Sequence, residues 1–253
     1  MPGSPRPPFA PLRTPAIWVY TMFGVYIAAT LTNILGTVNL IQVVNDFNAG
    51  GSNLQALEDA EELYAGLGGI QAFASFAIIP FFIWWLRRAT ANVRALGAED
   101  QRYGTGWAVG GWFVPILSFW RPLQIANQAW RASDPSVPRG NSRDWKSLPV
   151  SGLLIFWWLS WLGTSVAGGI ADAAYGESSL ENASAALGAV IATQLGVVAA
   201  TCVAIWFVRA LTSRQAAAAN ALHEPAAGVP RFDAPASDTL TCLLYTSPSP
   251  RDS

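Results

Sequence analysis

Four stretches of this chain run for about 20 residues or more without a charged side chain. They lie at about Ala16 to Val38 (with apolar character continuing to Val44), Tyr64 to Leu86, Leu148 to Ile170 and Ala185 to Val208. About 20 apolar residues in a helix cover the ~30 Å hydrocarbon core of a bilayer. Lipid offers no partner for backbone N–H and C=O groups, so each stretch must satisfy its own, which requires helix. The expected architecture is therefore an all-α membrane protein, a four-transmembrane-helix bundle. Charged residues are 12% of the chain, about half the usual share in soluble domains, roughly 25%. The twelve Trp gather beside the apolar runs, at Trp84-Trp85, Trp107, Trp112, Trp120 and Trp157-Trp158. Indole favours the membrane–water interface, being apolar with one polar N–H. The first run is long for a cleaved leader, and no small-x-small site followed by a polar domain succeeds it. It is expected to stay as a helix.

Loop charge sets the orientation. Between runs one and two the charges are Asp46, Glu58, Asp59, Glu61 and Glu62, with no base. Between runs three and four they are Asp172, Glu177 and Glu181, again with no base. Between runs two and three lie Arg87, Arg88, Arg94, Arg102, Arg121, Arg131, Arg139, Arg143 and Lys146, and Arg209 and Arg214 follow run four. Basic residues near helix ends stay cytoplasmic, so both termini are expected inside. The net charge of −1 gives no argument about nucleic acid, and no such partner is expected. Residues 1–15 are Pro-rich, carry Arg6 and Arg13 without an acid, and read as a disordered cytoplasmic tail. The transmembrane domain is expected at 16–214, with a flexible cytoplasmic tail at 215–241. Residues 242–252 resemble a translated transposase adapter from sequencing libraries, so 242–253 are set aside as foreign.

One segment fits neither loop nor span. Trp107 to Trp120 reads WAVGGWFVPILSFW, too short to cross and suited to a re-entrant or interfacial element. A fifth span would move Arg121, Arg131, Arg139, Arg143 and Lys146 outside, against the charge rule. Pro115 breaks the run, and a helix is expected to restart at Pro122. Leu123, Ala126 and Trp130 then share one face, with Gln124, Asn127, Gln128 and Arg131 off it, the pattern of an amphipathic helix on the membrane surface.

Helices in lipid associate through close packing and interhelical hydrogen bonds. Small residues at spacing four mark expected packing stripes: Gly24, Ala28, Thr32 and Gly36 in the first helix, and Gly188, Ala192, Gly196 and Ala200 in the last. A homo-oligomer seam is the alternative use of such a stripe. Asn33, Asn39, Gln71 and Gln194 are expected to face the bundle interior. A weak repeat adds symmetry: Ile83-Trp84-Trp85-Leu86-Arg87 parallels Ile205-Trp206-Phe207-Val208-Arg209. Upstream, Glu61, Ala65, Leu67 and Gly68 parallel Glu181, Ala185, Leu187 and Gly188. A duplicated two-helix unit explains both blocks, as does common demand for Trp and Arg at a cytoplasmic helix end.

The search for chemistry finds no catalytic or nucleotide motif. One His (His223) and two Cys (Cys202 and Cys242) cannot build a metal site. No cofactor and no enzymatic activity are expected. The acidic residues between runs three and four read as a solvated loop.

The densest signal is the block joining runs two and three. Trp84-Trp85-Leu86-Arg87-Arg88, Asn92-Val93-Arg94-Ala95-Leu96-Gly97-Ala98, Gly106-Trp107-Ala108-Val109-Gly110-Gly111-Trp112-Phe113-Val114-Pro115-Ile116, Trp120-Arg121-Pro122 and Trp130-Arg131-Ala132-Ser133 together resemble domain-of-unknown-function family 4328. Gly111 stands where that family's double-Trp motif would have Trp. The resemblance implies a multi-pass protein of the bacterial cytoplasmic membrane and supplies no catalytic residues. The candidate contacts to membrane lipids or a membrane partner are Arg94, Trp107, Trp112, Pro115, Trp120, Arg121, Trp130 and Arg131. Two functional readings follow: a structural or regulatory protein using that surface, or a small-molecule permease or export component. The second predicts a polar cavity lined by Asn33, Asn39, Gln71 or Gln194.

Overall fold

The computed structural model describes residues 7–98, 100–137 and 143–223. The described residues form six α-helices: α1 (Arg13–Asn48), α2 (Leu54–Ala95), α3 (Trp107–Phe113), α4 (Arg121–Ala132), α5 (Gly152–Gly176) and α6 (Leu180–His223). Short 3₁₀ turns lie at Leu117–Phe119 and Asp144–Ser147. The helices α1, α2, α5 and α6 are long and apolar enough to cross a membrane. The expected tail at 1–15 reaches into residues outside the described set, and the adapter-like stretch expected at 242–253 lies wholly outside it.

The helices overrun the apolar stretches that nucleate them. α2 has 42 residues and α6 has 44, about 63 and 66 Å at 1.5 Å per residue, twice the hydrocarbon thickness. Local chemistry fixes their ends. Asn53 caps α2, its side chain accepting from the Ala56 N–H at 3.1 Å. At the other end Gly97 turns left-handed (φ 83°) and the Ala98 N–H returns to the Val93 carbonyl at 3.2 Å. The flexible tail expected from residue 215 is corrected in part, because α6 continues to His223 with Gln215, Ala218 and Ala219 buried. Likewise α1 already begins at Arg13, with Pro15 buried.

Helix α1 packs along both α2 and α6, and α6 packs along α5. Buried apolar residues divide between the two ends of the bundle. The large basic-end core centres on Trp85, Leu86, Trp157, Phe207 and Val208. The smaller acidic-end core is Leu40, Val44, Leu57, Ala60, Ala183 and Leu187. Hydrogen bonds fasten both ends. The Asn92 amide donates to the Ala10 carbonyl (2.8 Å) and to Gln215 Oε1 (3.0 Å), and accepts from the Ala10 N–H (3.0 Å). Gln215 in turn donates to the Ala89 carbonyl at 2.9 Å. The start of α1 and the ends of α2 and α6 therefore share one end. At the other, Asn48 donates to the Leu180 carbonyl (3.0 Å) and Ser184 to Asn45 Oδ1 (2.6 Å).

Only part of the small-residue stripes lies in an interface. Gly36 is buried, and a Cβ there would stand 2.5 Å from Leu67 Cδ1. Gly196 faces Thr164, whose Cγ2 would stand 3.2 Å from a Cβ added there, and Ala200 is buried. Gly24, Ala28, Thr32, Gly188 and Ala192 face outward. Four residues advance about 40° past a full turn of a 3.6-residue helix, so three such steps rotate the stripe by about 120°. A stripe that enters the interface at Gly36 has left it at Gly24. Gly36→Val is accordingly expected to destabilise by about 1–3 kcal/mol through overpacking. Gly24→Ala should be neutral or stabilising by up to about 1 kcal/mol. Thermal midpoints in detergent compare the two directly.

Candidate functional site

Three helices meet at a polar waist midway along the bundle. Asn33 of α1 donates to Gln71 Oε1 of α2 at 2.8 Å. Gln71 and Gln194 of α6 exchange amide hydrogen bonds of 2.7 and 3.1 Å. Gln71 also donates to Thr30 Oγ1 at 3.2 Å, and Thr37 donates to the Asn33 carbonyl at 2.9 Å. An amide in an apolar bundle must be paired or it carries its full desolvation cost. Here each amide serves as its neighbour's partner. Asn39, expected in this group, is exposed on the outer face of α1.

Beside this waist the fourth interface of the bundle is missing. No backbone packing joins α2 to α5. Between them opens a cleft of about 800 Å³, with Asn33, Gln71 and Gln194 on its floor. Small-molecule sites occupy roughly 300–1,000 Å³. Ser75, Phe76 and Ile79 of α2 form one wall, and Trp161, Thr164 and Gly168 of α5 the other. Side chains bridge the two helices near the cleft's ends. At the acidic end Tyr64 meets Tyr175 edge-to-face, ring centroids 5.6 Å apart, with Asp172 beside the Tyr64 hydroxyl. At the basic end Phe82 stacks on Trp157 at 5.8 Å. Trp112 of α3 enters there, 5.8 Å from Phe82 and 6.4 Å from Trp161. Its buried indole N–H has no hydrogen-bond partner among the described residues.

The cleft breaks the symmetry that the internal repeat would give the bundle. It makes α5 the counterpart of α1 and α6 the counterpart of α2. Matched residues share environments: Trp85 and Phe207 are both fully buried and pack edge-to-face at 5.5 Å, while Trp84 and Trp206 both face outward. In a closed symmetric bundle the α1–α6 contact would be mirrored by an α5–α2 contact. The cleft occupies the place of that second contact.

The Trp/Arg block folds largely onto itself. Arg121 lies over the Tyr103 ring (4.9 Å) and the Trp107 ring (5.1 Å), and donates to the Tyr103 hydroxyl at 2.6 Å. Arg214 lies 4.6 Å over Trp130 and pairs with Asp134, and Arg131 donates to the Lys146 carbonyl. Lys146 also pairs with Asp100, holding that carboxyl below the ordinary carboxylate range. Trp112, Arg121, Trp130 and Arg131 are thus half-buried, whereas Arg94, Trp107, Pro115 and Trp120 are exposed. Helix α4 buries a face other than the expected apolar stripe of Leu123, Ala126 and Trp130. Its buried face is Pro122, Ile125, Ala126, Ala129 and Ala132, packed on the end of the bundle. Gln128, expected on the polar face, is buried because its amide pairs with both backbone groups of Tyr103 (2.8 and 3.0 Å). The exposed apolar surface lies at the break before α4, where Phe113, Ile116 and Phe119 are 69, 71 and 60% exposed. Trp158 anchors this turn by donating to the Phe119 carbonyl at 2.8 Å.

Sequence reading missed Asp172, Tyr64 and Tyr175 as site residues. Asp172 was placed in a solvated loop, but α5 continues to Gly176 and puts it within the last helical turns, lining the cleft. The available signal was the lone acid at the end of the third apolar run.

The family described as Domain of unknown function (DUF4328) matches residues 50–213. That range includes both walls of the cleft and the whole Trp/Arg block, and omits α1. No curated protein and no solved structure matches the chain.

Proposed function

The chain belongs to the family Domain of unknown function (DUF4328), and from that premise we propose that it is a multi-pass membrane protein that takes a small amphipathic molecule from the bilayer into the cleft between α2 and α5. The observation that carries this reading is the cleft itself, a polar floor between apolar walls at the middle of the spans. It favours a permease or export component, or its binding subunit, over an enzyme, since the Ser75, Thr164 and Ser165 hydroxyls on its walls donate to their own helix carbonyls. The basic end is assigned to the cytoplasm by its Arg and Lys content, with both termini inside and the bacterial cytoplasmic membrane as the location. Lipid is the immediate partner, and nucleic acid is not among the proposed ones.

A structural or regulatory role for the Trp/Arg block stands as the second reading. It is favoured by the exposed apolar tip at Phe113, Ile116 and Phe119, flanked by exposed Trp107 and Trp120. An apolar tip with a Trp border suits insertion among lipid headgroups or contact with a membrane partner or second copy.

Photolabelling separates the readings. Protein in lipid nanodiscs would be irradiated with an uncharged diazirine-bearing amphiphile, and the adducts mapped by mass spectrometry. The expected adducts fall on the lining residues Gly68, Gln71, Ala72, Ser75 and Ile79 of α2 and Trp161, Thr164, Ser165, Gly168 and Asp172 of α5. Adducts confined to outward residues such as Leu35 and Phe73, and to the 113–119 tip, would rule out the cleft as a binding site.

A further inference from the structure

We infer that the cleft selects amphipathic cations, molecules with an ammonium or comparable positive head on an apolar body. The inference rests on the reading of the cleft as a binding site and adds the sign of its ligand. Of the residues lining it, only Asp172 is acidic or basic. It stands at the acidic end beside the Tyr64 hydroxyl, where Tyr64 and Tyr175 pack edge-to-face. Aromatic rings combined with a carboxylate hold organic cations through the ring quadrupole and direct charge attraction.

Other ligand classes fit less well. An anion would meet like charge, with no Lys or Arg on the lining to offset it. An uncharged ligand would exclude water from Asp172 without supplying a counter-charge. A bare divalent ion needs several oxygen ligands, and among the described residues no group of three His, Cys, Asp or Glu is placed to hold one.

The surroundings reinforce the sign. Asp46, Glu58, Asp59, Glu61, Glu62, Glu177 and Glu181 occupy the same end of the bundle, and the connections there contain no base. Charge of one sign around a low-dielectric opening raises the local concentration of the opposite sign. Tyr64 and Phe82 are eighteen residues apart along α2, about 27 Å. A head at Asp172 therefore leaves room for an extended body reaching the Phe82, Trp112 and Trp157 rings.

The test uses three photoprobes with one chain length and one diazirine position, differing only in head group: trimethylammonium, hydroxyl and sulfonate. On the wild-type protein the ammonium probe is expected to label the cleft half-maximally at about tenfold lower concentration than the hydroxyl probe, with the sulfonate weakest. Asp172→Asn is expected to bring ammonium and hydroxyl labelling together, with the wild-type circular dichroism spectrum retained as the check on folding. Equal labelling by all three heads on wild type, or a preference that survives Asp172→Asn, would overturn the cation assignment and leave the cleft a binding site. Failure of every probe to label the cleft would overturn the binding reading as well. The wild-type comparison decides the sign whether or not the variant assembles.

Discussion

Trp85→Ala is expected to destabilise the protein by about 3–5 kcal/mol, the range for removing a large aromatic from a packed interior. Trp85 is wholly buried, 5.4 Å from Phe82 and 5.5 Å from Phe207, and donates its indole N–H to Thr212 Oγ1 at 3.1 Å. It therefore ties α2 to α6 at the level where Phe82 and Trp157 close the basic end of the cleft. Its neighbour supplies the control. Trp84 is 38% exposed and Trp206, its repeat counterpart, is 60% exposed. Alanine at either should cost within about 1 kcal/mol. Unfolding titrations in mixed detergent, followed by circular dichroism, resolve a gap of that size. Equal losses at Trp84 and Trp85 would contradict the assigned faces of α2.

The second large effect concerns the cleft. Gly168 lines it from α5, and a Cβ built there meets no heavy atom within 4 Å. Gly168→Phe places a ring in open space between the two walls without displacing protein atoms. Binding of the photoprobes is expected to fall at least about tenfold, since a ring of this size occupies volume the ligand needs. Stability should be unchanged or higher by up to about 1 kcal/mol, because Gly is a poor residue in a helix interior. Gly163 is the matched control. It lies in the same helix, also has open space at its Cβ, and is exposed outside the cleft. Gly163→Phe is expected to leave probe binding intact.

The parts of this fold written in the sequence are those governed by the bilayer. Hydrophobic run length located the four spans because lipid imposes one requirement on every backbone group it touches. The break at Pro115 and the restart beside Pro122 were legible for a similar reason, since proline acts through its own ring and missing N–H. Features set by tertiary contact were not. α6 runs on past Arg214 because Gln215 and Ala218 find buried places against α2 and the N-terminal segment, which no local pattern announces. Arg121 looked like a headgroup ligand, yet Tyr103, eighteen residues upstream, takes its guanidinium. The glycine stripes misled because spacing four drifts around the helix.

The candidate site divides the same way. Asn33, Gln71 and Gln194 were legible as interior groups because an uncompensated amide in lipid is costly wherever it points. Asn39 shows the limit of that argument, since it lies near the acidic end of α1 and faces outward. The cleft itself is a missing contact between α2 and α5, and a missing contact leaves no residue pattern to read. Asp172 became meaningful only when the end of α5 was fixed beyond it.

The most direct test of the cleft as a binding site is the yield of photolabel on its α2 lining residues Gly68, Gln71, Ala72, Ser75 and Ile79, compared between Gly168→Phe and Gly163→Phe under identical conditions. A membrane-embedded binding cleft predicts that labelling of these residues disappears in the first variant and persists in the second, with equal thermal midpoints. Persistent labelling of these residues in Gly168→Phe, at wild-type yield, would contradict it.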